Sequence, residues 1–422
     1  MNSGLYSSLV GADLLIPHIE VSIHPENEPL AYKICQPEII PFISYPYEWC
    51  FSHLRDAALT TLKIQQIALK FGMSLKDSSA FNIQFRKGKP IFIDTLSFER
   101  YDGAQPWIAY RQFCQHFLAP LSLMSQRDIR LNQLSRIYID GIPLDLASSL
   151  LPFQSYLRFG LLSHIHIHAK FQRHFANKAI TINKFKISCE SLIGLIENLE
   201  SVVYRLRYKT HATEWADYYK SNNTYSLDAF NHKLTIVGQF LDRVNPKNVW
   251  DIGANVGIFS RIASDKGIQT ISLDIDPVAV EKNYRECVKR GESNILPLLI
   301  DLTNPSPSVG WGSRERMSLV GRGPADTIFA LALIHHLAIS NNLPFKKIAE
   351  FLSHMCNSLI IEFVPEDDIQ LRQFKASVKS PPNYTESSFV NEFRKYFDIQ
   401  GIENINDSQR TIYLMKSRHI CA

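Results

Sequence analysis

Between Val249 and Ser260 the sequence runs VWDIGANVGIFS. An apolar strand-like run ends on an acid, Asp251, a turn follows with glycines at 253 and 257, and a helix-like pattern begins. Glycine at a strand-to-helix turn lets the backbone reverse sharply and approach a ligand, while the helix start presents free N–H groups. The same punctuation recurs downstream. TISLDID, ILPLLID, DTIFALAL and SLIIEFV read as further strands, with helix-like segments from Val278 and over FKKIAEFLSHM. Alternation at this spacing predicts an α/β domain over 236–422, doubly wound around a sheet of largely parallel strands buried on both faces. The tail breaks the pattern: Phe397 to Gly401 and Thr411 to Met415 flank ENINDSQR and predict a closing antiparallel hairpin.

The spacing of the turn is D-x-G-x-x-x-G, without the G-x-G-x-x-G arrangement that suits a dinucleotide pyrophosphate, which disfavours a nicotinamide enzyme. Asp274 ends the next strand about 20 residues on, where a carboxylate can accept both hydroxyls of a ribose, and Asp301 closes the strand after it. Acceptors at successive strand ends fit a ligand with a ribose and an exocyclic amine lying across one edge of the sheet.

On these residues the segment 236–422 resembles the class I S-adenosylmethionine-dependent methyltransferases. The resemblance implies a Rossmann-like sheet of seven strands with the last one antiparallel, and S-adenosyl-L-methionine as cofactor. It also implies that Gly253, Ala254, Asn255 and Gly257, following Asp251, line the methionine part of the donor. Asp274 would take the ribose, and Asp301 with Leu302 the adenine. Asp276, directly before Pro277, is expected instead to cap the following helix.

The acceptor belongs at the end of the fourth strand, where DTIFALALIHHLAIS places His335 and His336. An imidazole there suits a general base toward a protonated nucleophile, and a cap on the strand is the alternative. Glu362, at the end of the fifth strand, is a second candidate acid or base, or else a buried carboxylate tied to the backbone or an arginine. The N-P-P-[YF] motif of amino-nucleobase methyltransferases is absent from this place; NPSP at 304–307 follows the third strand instead. The long loop 303–324 carries Trp311, Arg314, Glu315 and Arg316, which would form a lid or a surface loop. Trp215, Tyr218 and Tyr219 precede the domain and would close over the donor or dock a linker.

The first 150 residues read differently. FNIQF and PIFID, joined by RKGK, predict a hairpin, and His53 to Phe71 a helix. Asp77 and Asn82, spaced D-x-x-x-x-N, followed by Asp94 after the hairpin, resemble the catalytic-loop and metal-binding positions of protein-kinase-like and aminoglycoside-phosphotransferase-like folds. Leu75-Lys76 stands where those families carry His-Arg or His-Gly, and Thr95-Leu96 where Phe-Gly follows the second acid. Only 76 residues precede Asp77, too few for a complete nucleotide-clamping lobe, so 1–150 is expected as a degenerate kinase-like α+β domain. The segment 151–235, with Leu192, Leu195, Ile196, Leu199 and Val203 on one helical face, is expected as a helical linker. His164, His166 and His168 invite a metal, but without acidic or thiolate partners nearby they read as packing or surface residues, and no metal is expected.

Composition narrows the partners. A net charge of +4 on 422 residues with no basic run gives no support for a nucleic-acid partner. Seven scattered cysteines without a C-x-x-C pair read as reduced thiols. Without a basic leader or a long apolar run, a cytoplasmic protein with no membrane partner is expected. The reading is therefore a methyltransferase acting on a small-molecule acceptor. An RNA or protein acceptor stays open as an alternative, as does a kinase-like binding module with an inactive methyltransferase domain. Oligomeric state has no sequence signal. Across the whole chain, LIHHLAI, NPSPSVGW and IIEFVPEDD are similar to bacterial methyltransferase-like proteins grouped with nodulation-related sequences.

Overall fold

The computed structural model describes residues 3–22, 33–103, 105–170, 187–208, 226–368 and 383–419. The chain divides into two compact units, Met1–Lys209 and Thr210–Ala422.

In the first unit, helix α1 (Phe51–Lys70) buries Leu54, Ala57, Ala58, Leu62, Ala68 and Leu69. Strand β1 (Met73–Leu75) follows it, then a hairpin of β2 (Ile83–Arg86) and β3 (Lys89–Phe92), and β4 (Phe98–Arg100), which returns antiparallel to β1 with Ser74 opposite Glu99. The hairpin turns on Lys87 and Gly88, both at positive φ (50° and 73°), the backbone a tight two-residue turn requires. Helix α2 (Cys189–Arg205) turns Leu192, Ile196, Leu199 and Val203 inward, the face expected from their spacing. It packs along α1, with Gln66 Nε2 donating to Glu200 at 3.1 Å. The segment read as a helical linker is thus split: α2 belongs to the core of the first unit, because its apolar stripe needs a partner and α1 supplies one.

The second unit opens with helix α3 (Leu227–Val244), capped by Ser226, whose side chain accepts from Ala229 N. Then follow β5 (Asn248–Ile252), α4 (Ile258–Ser264), β6 (Gln269–Asp274), α5 (Pro277–Arg290), β7 (Ile295–Leu299), β8 (Ala325–Ala330), α6 (Phe345–Met355), β9 (Cys356–Phe363), α7 (Glu386–Phe393), β10 (Phe397–Asn404) and β11 (Thr411–Ser417). The strands form one seven-stranded sheet in the order β10-β11-β9-β8-β5-β6-β7. β5 pairs in parallel with β6 and β8, while β11 runs antiparallel to both β9 and β10. This is the expected doubly wound sheet, with its one reversed strand in the expected tail hairpin. Strand order reverses at β5 and β8, and ligands of such sheets bind at the carboxyl edge beside that reversal.

One face of the sheet is covered by α3 and α4, with Val237, Phe240 and Phe259 packed on Val249, Phe329 and Leu414. On the other, the tilted rings of Phe363, Phe389 and Phe393 pack with centroid distances of 5.2 and 4.4 Å. The connection from β7 to β8 carries only two short 3-10 turns, Trp311–Ser313 and Val320–Arg322. Among the described residues, no helix is long and apolar enough to cross a membrane.

Candidate functional site

The carboxyl ends of β5 and β6 bring the sequence-predicted donor residues together. Gly253 (φ 77°) and Ala254 both donate their N–H to Leu273 O, at 2.8 and 3.0 Å, which folds the turn against the neighbouring strand. Asn255, also at positive φ (53°), donates its N–H to Asp274 Oδ2 at 2.7 Å. Asp276 N donates to Asp274 Oδ1 at 2.8 Å. The Asp274 side chain is thus held by the glycine turn on one oxygen and by its own strand end on the other. Asp276 caps α5, accepting from Val278 N at 2.8 Å, as expected. Between the two acids Ile275 is 60% exposed, an apolar side chain open at the sheet edge.

Asp251 is buried, and its Oδ2 accepts from Ser260 Oγ at 2.6 Å. Desolvation pushes the Asp251 carboxyl up to about 7, helped by the nearby Asp274 charge and opposed by the Ser260 hydrogen bond and Lys233. Desolvation likewise raises Asp274 to about 6, against the backbone N–H groups that favour its charged form. Two acids brought this close without full solvation favour a cationic visitor. Asp301 is partly exposed, its Oδ1 accepting from both the N–H and the hydroxyl of Thr303 at 2.8 and 2.6 Å, and Leu302 is half-buried beside it.

The residues expected on the acceptor side follow β8. His335 and His336 are adjacent rings, centroids 4.1 Å apart. Desolvation, with the charges of His336, Arg410 and Lys233, holds His335 well below its ordinary value, and desolvation with Arg410 brings His336 down to about 4. Both are therefore neutral at physiological pH. His335 is 8% exposed, and its Nδ1 has no hydrogen-bond partner among the described residues.

Of its two expected roles, an acid or base or a buried carboxylate tied to an arginine, Glu362 has the contacts of the second. Its Oε2 meets Lys233 Nζ at 2.6 Å and its Oε1 meets Arg410 Nη1 at 3.4 Å. Arg410 also grips Asp368 through Nε and Nη2, at 2.8 and 2.9 Å. With both oxygens in ion pairs, proton transfer by Glu362 would have to break them. Lys233 and Arg410 were not among the residues singled out by sequence. Lys233 left a signal, since it falls on the buried stripe of α3 with Ala229, Ile236, Val237 and Phe240. Arg410, in the turn before β11, left none.

The loop after β7 is pinned by an antiparallel bridge between Val309 and Arg316, and Trp311 at its tip is 88% exposed. Trp215, Tyr218 and Tyr219 lie outside the described residues.

In the first unit, the strand pairing brings Asn82 and Asp94 to one hydroxyl. Asn82 Nδ2 donates to Ser97 Oγ at 3.3 Å, and that hydroxyl donates to Asp94 Oδ2 at 2.6 Å. Asp77 is spent locally, accepting from Ser79 N at 2.9 Å. The HIHIH histidines are packed: His164 sits between Tyr110 and Asn198 at 2.7 and 2.8 Å, and His166 between Ser148 and Ser155, both at 2.8 Å. Among the described residues, no group of three or more His, Cys, Asp or Glu is placed to hold a metal ion.

Sheet order, reversed strand and acidic strand ends together define the second unit as a Rossmann-like domain of the class I methyltransferase type. The chain belongs to the family of nodulation protein NoeA. It is 32% identical over 400 residues to that protein of Rhizobium meliloti (strain 1021), a match covering 93% of this chain and 84% of the relative. No protein-family profile matches it. Among solved structures, the PH0226 protein of Pyrococcus horikoshii OT3 is similar over 49% of this chain and 100% of its own, with 14% identity and a TM-score of 0.36. Magnesium protoporphyrin IX methyltransferase (ChlM) of Synechocystis PCC 6803, with bound SAH, is similar over 48% of this chain and 98% of its own, at 17% identity and a TM-score of 0.33. The bifunctional kinase-methyltransferase WbdD is similar over 44% of this chain and 39% of its own, at 14% identity and a TM-score of 0.32.

Proposed function

We propose that the second unit is an S-adenosylmethionine-dependent methyltransferase that holds its donor across the carboxyl ends of β5 and β6 and methylates a small-molecule acceptor beside the end of β8. The observation that carries this reading is the placement of Asp274 next to Ile275. The Asp274 carboxylate accepts the backbone N–H groups of Asn255, Asp276 and Ile275, which fix its orientation and leave it lone-pair capacity for a ribose hydroxyl. Ile275, exposed between the half-buried Asp274 and the buried Asp276, offers a bare apolar surface to the face of a purine. Asp251 and Asp274 contribute negative charge beside the turn 253–257, where a sulfonium and an ammonium would be stabilised. Asp301 and Leu302 are read as the adenine edge.

When bound, the donor supplies an electrophilic methyl group. The remaining task of this chain is to orient the acceptor and, for a hydroxyl or protonated amine, to take its proton. His335 is suited to that second role, being neutral and buried, with an Nδ1 that has no hydrogen-bond partner among the described residues. The weak net charge of +4 favours a small acceptor over a polynucleotide. A cytoplasmic site of action completes the reading, supported by the described cysteines, which are all free thiols.

Calorimetry with S-adenosylmethionine tests the donor. The intact protein is expected to bind, and Asp274→Ala to bind at least about tenfold more weakly. No binding by the intact protein, or equal binding by the variant, overturns the reading. Incubation with methyl-labelled donor and a cell extract tests the acceptor, with label expected in small metabolites. Label in RNA or protein overturns the small-molecule assignment.

A further inference from the structure

The glycine turn is held from two sources. Its N–H groups at Gly253, Ala254 and Asn255 reach Leu273 O and Asp274 Oδ2 on β6. Two of its carbonyls reach a side chain instead, that of Arg261 on α4. Arg261 Nη1 donates to Val256 O at 2.9 Å and to Gly257 O at 3.0 Å. Nε and Nη2 of the same guanidinium donate to Glu292 Oε1 and Oε2, each at 2.9 Å, and Nη2 also donates to Cys287 Sγ at 3.6 Å. Every nitrogen of the guanidinium thus faces an acceptor, with the Arg261 and Glu292 side chains only 11% and 12% exposed. Glu292 is itself fixed to the end of α5, its N–H donating to Cys287 O at 2.9 Å just past the left-handed Gly291.

The turn needs support of this kind. Asn255 and Gly257 both stand at positive φ, 53° and 78°, and for Asn255 that region is sparsely populated and costs free energy. A peptide unit is planar. Fixing Val256 O therefore also fixes the N–H of Gly257, which donates to Ala254 O at 2.9 Å and closes the turn. A lysine could not do the same, because an ammonium is a point charge without the planar fork that serves a carboxylate and two carbonyls together.

We infer that Arg261, braced by Glu292, is a positioning residue for donor binding, holding the turn 253–257 in shape for the methionine part of S-adenosylmethionine before the donor arrives. The inference rests on the donor site proposed above. A turn already in its bound shape spares the donor the cost of ordering it. The nucleoside side is less dependent on the brace, since Asp276 N and Ile275 N hold Asp274 without help from the turn.

The test compares two ligands by calorimetry on the full chain and on Arg261→Lys. One is S-adenosylmethionine; the other is 5′-methylthioadenosine, which keeps the nucleoside and the sulfur but lacks the amino-acid part. Arg261→Lys is expected to weaken S-adenosylmethionine about tenfold and to leave 5′-methylthioadenosine within about twofold. Unchanged S-adenosylmethionine binding, or equal loss of both ligands, overturns the inference. Should Arg261→Lys not fold, Glu292→Gln, which keeps an acceptor but removes the charge, is expected to give the same selective loss at about threefold. Amide hydrogen exchange of the ligand-free protein reads the brace directly: exchange at 253–257 should be about tenfold faster in the variant, with β5 and β6 unchanged. Acceleration spread evenly over the second unit overturns the inference. If the donor reading itself is wrong, the outcome is different: the wild-type protein binds no S-adenosylmethionine, while the exchange result still shows whether Arg261 holds the turn.

Discussion

Lys233 and Glu362 meet at 2.6 Å, with side chains 3% and 0% exposed, and the pair ties the helix ahead of the sheet to the carboxyl end of strand β9. Removing Lys233 leaves the buried Glu362 with the longer contact to Arg410, at 3.4 Å, and one oxygen without its ion pair. Lys233→Met is therefore expected to cost about 3–5 kcal/mol in urea unfolding. Replacing both residues, as Lys233→Met with Glu362→Leu, frees Arg410 to its bidentate contact with Asp368. The double variant should lose less than the two single variants summed, by at least about 1 kcal/mol. Strict additivity would show that the pair does not act as a unit.

Gly257 is constrained twice. Its φ of 78° suits glycine, and an added Cβ would collide with the Asn283 amide. Gly257→Ala is expected to cost about 2–3 kcal/mol, the sum of a left-handed alanine and a steric conflict. Adding Asn283→Ala removes the conflict and leaves the backbone term. Thermal melts of the single and double variants should therefore differ, with the double variant less impaired by Gly257→Ala than the native background is.

Much of this architecture is legible in the sequence because it is local. Apolar runs closed by Asp251, Asp274 and Asp301 mark three strand ends, the Asp276-Pro277 pair marks a helix start, and ENINDSQR marks the hairpin turn. What escapes is set by partners far apart in the chain. Lys233 and Glu362 are separated by 129 positions, and periodicity reports that a lysine faces inward without naming the acid that meets it. The contacts of Ser260 and Asn283 with Ser272 escape for the same reason, since they join three separate elements. The inward face of α2 and the helix α1 are each legible, but not that one covers the other.

Acid and base act oppositely on stability. Asp251 and Asp274 have folded-state values near 7 and 6, raised above the ordinary 3.8, so the folded state takes protons more readily and these groups make the protein less stable as pH rises from about 4 to 7. His336 is depressed to about 4 from 6.5, so below 6.5 the unfolded chain takes the proton first and stability is lost as pH falls toward 4. His336→Gln removes only the second contribution. Between pH 7 and pH 5 the variant is expected to lose about 2 kcal/mol less than wild type in urea unfolding. An unchanged pH dependence would mean that the ring is charged in the folded protein.

A substitution at His335 is expected to separate donor binding from proton transfer. Its Nδ1 is buried without a hydrogen-bond partner among the described residues, and the donor-binding turn reaches Asp274 and Leu273 rather than this ring. His335→Gln nearly preserves the volume and polarity but cannot take a proton. If the acceptor loses a proton during transfer, turnover is expected to fall about 10²-fold or more, while the calorimetric affinity for S-adenosylmethionine stays within about twofold. The rate profile discriminates further. Wild-type turnover should fall only well below pH 6.5, following the depressed imidazole, whereas the residual rate of His335→Gln should lack that acid limb. Equal loss of donor affinity and turnover would instead make His335 a structural support of the strand end.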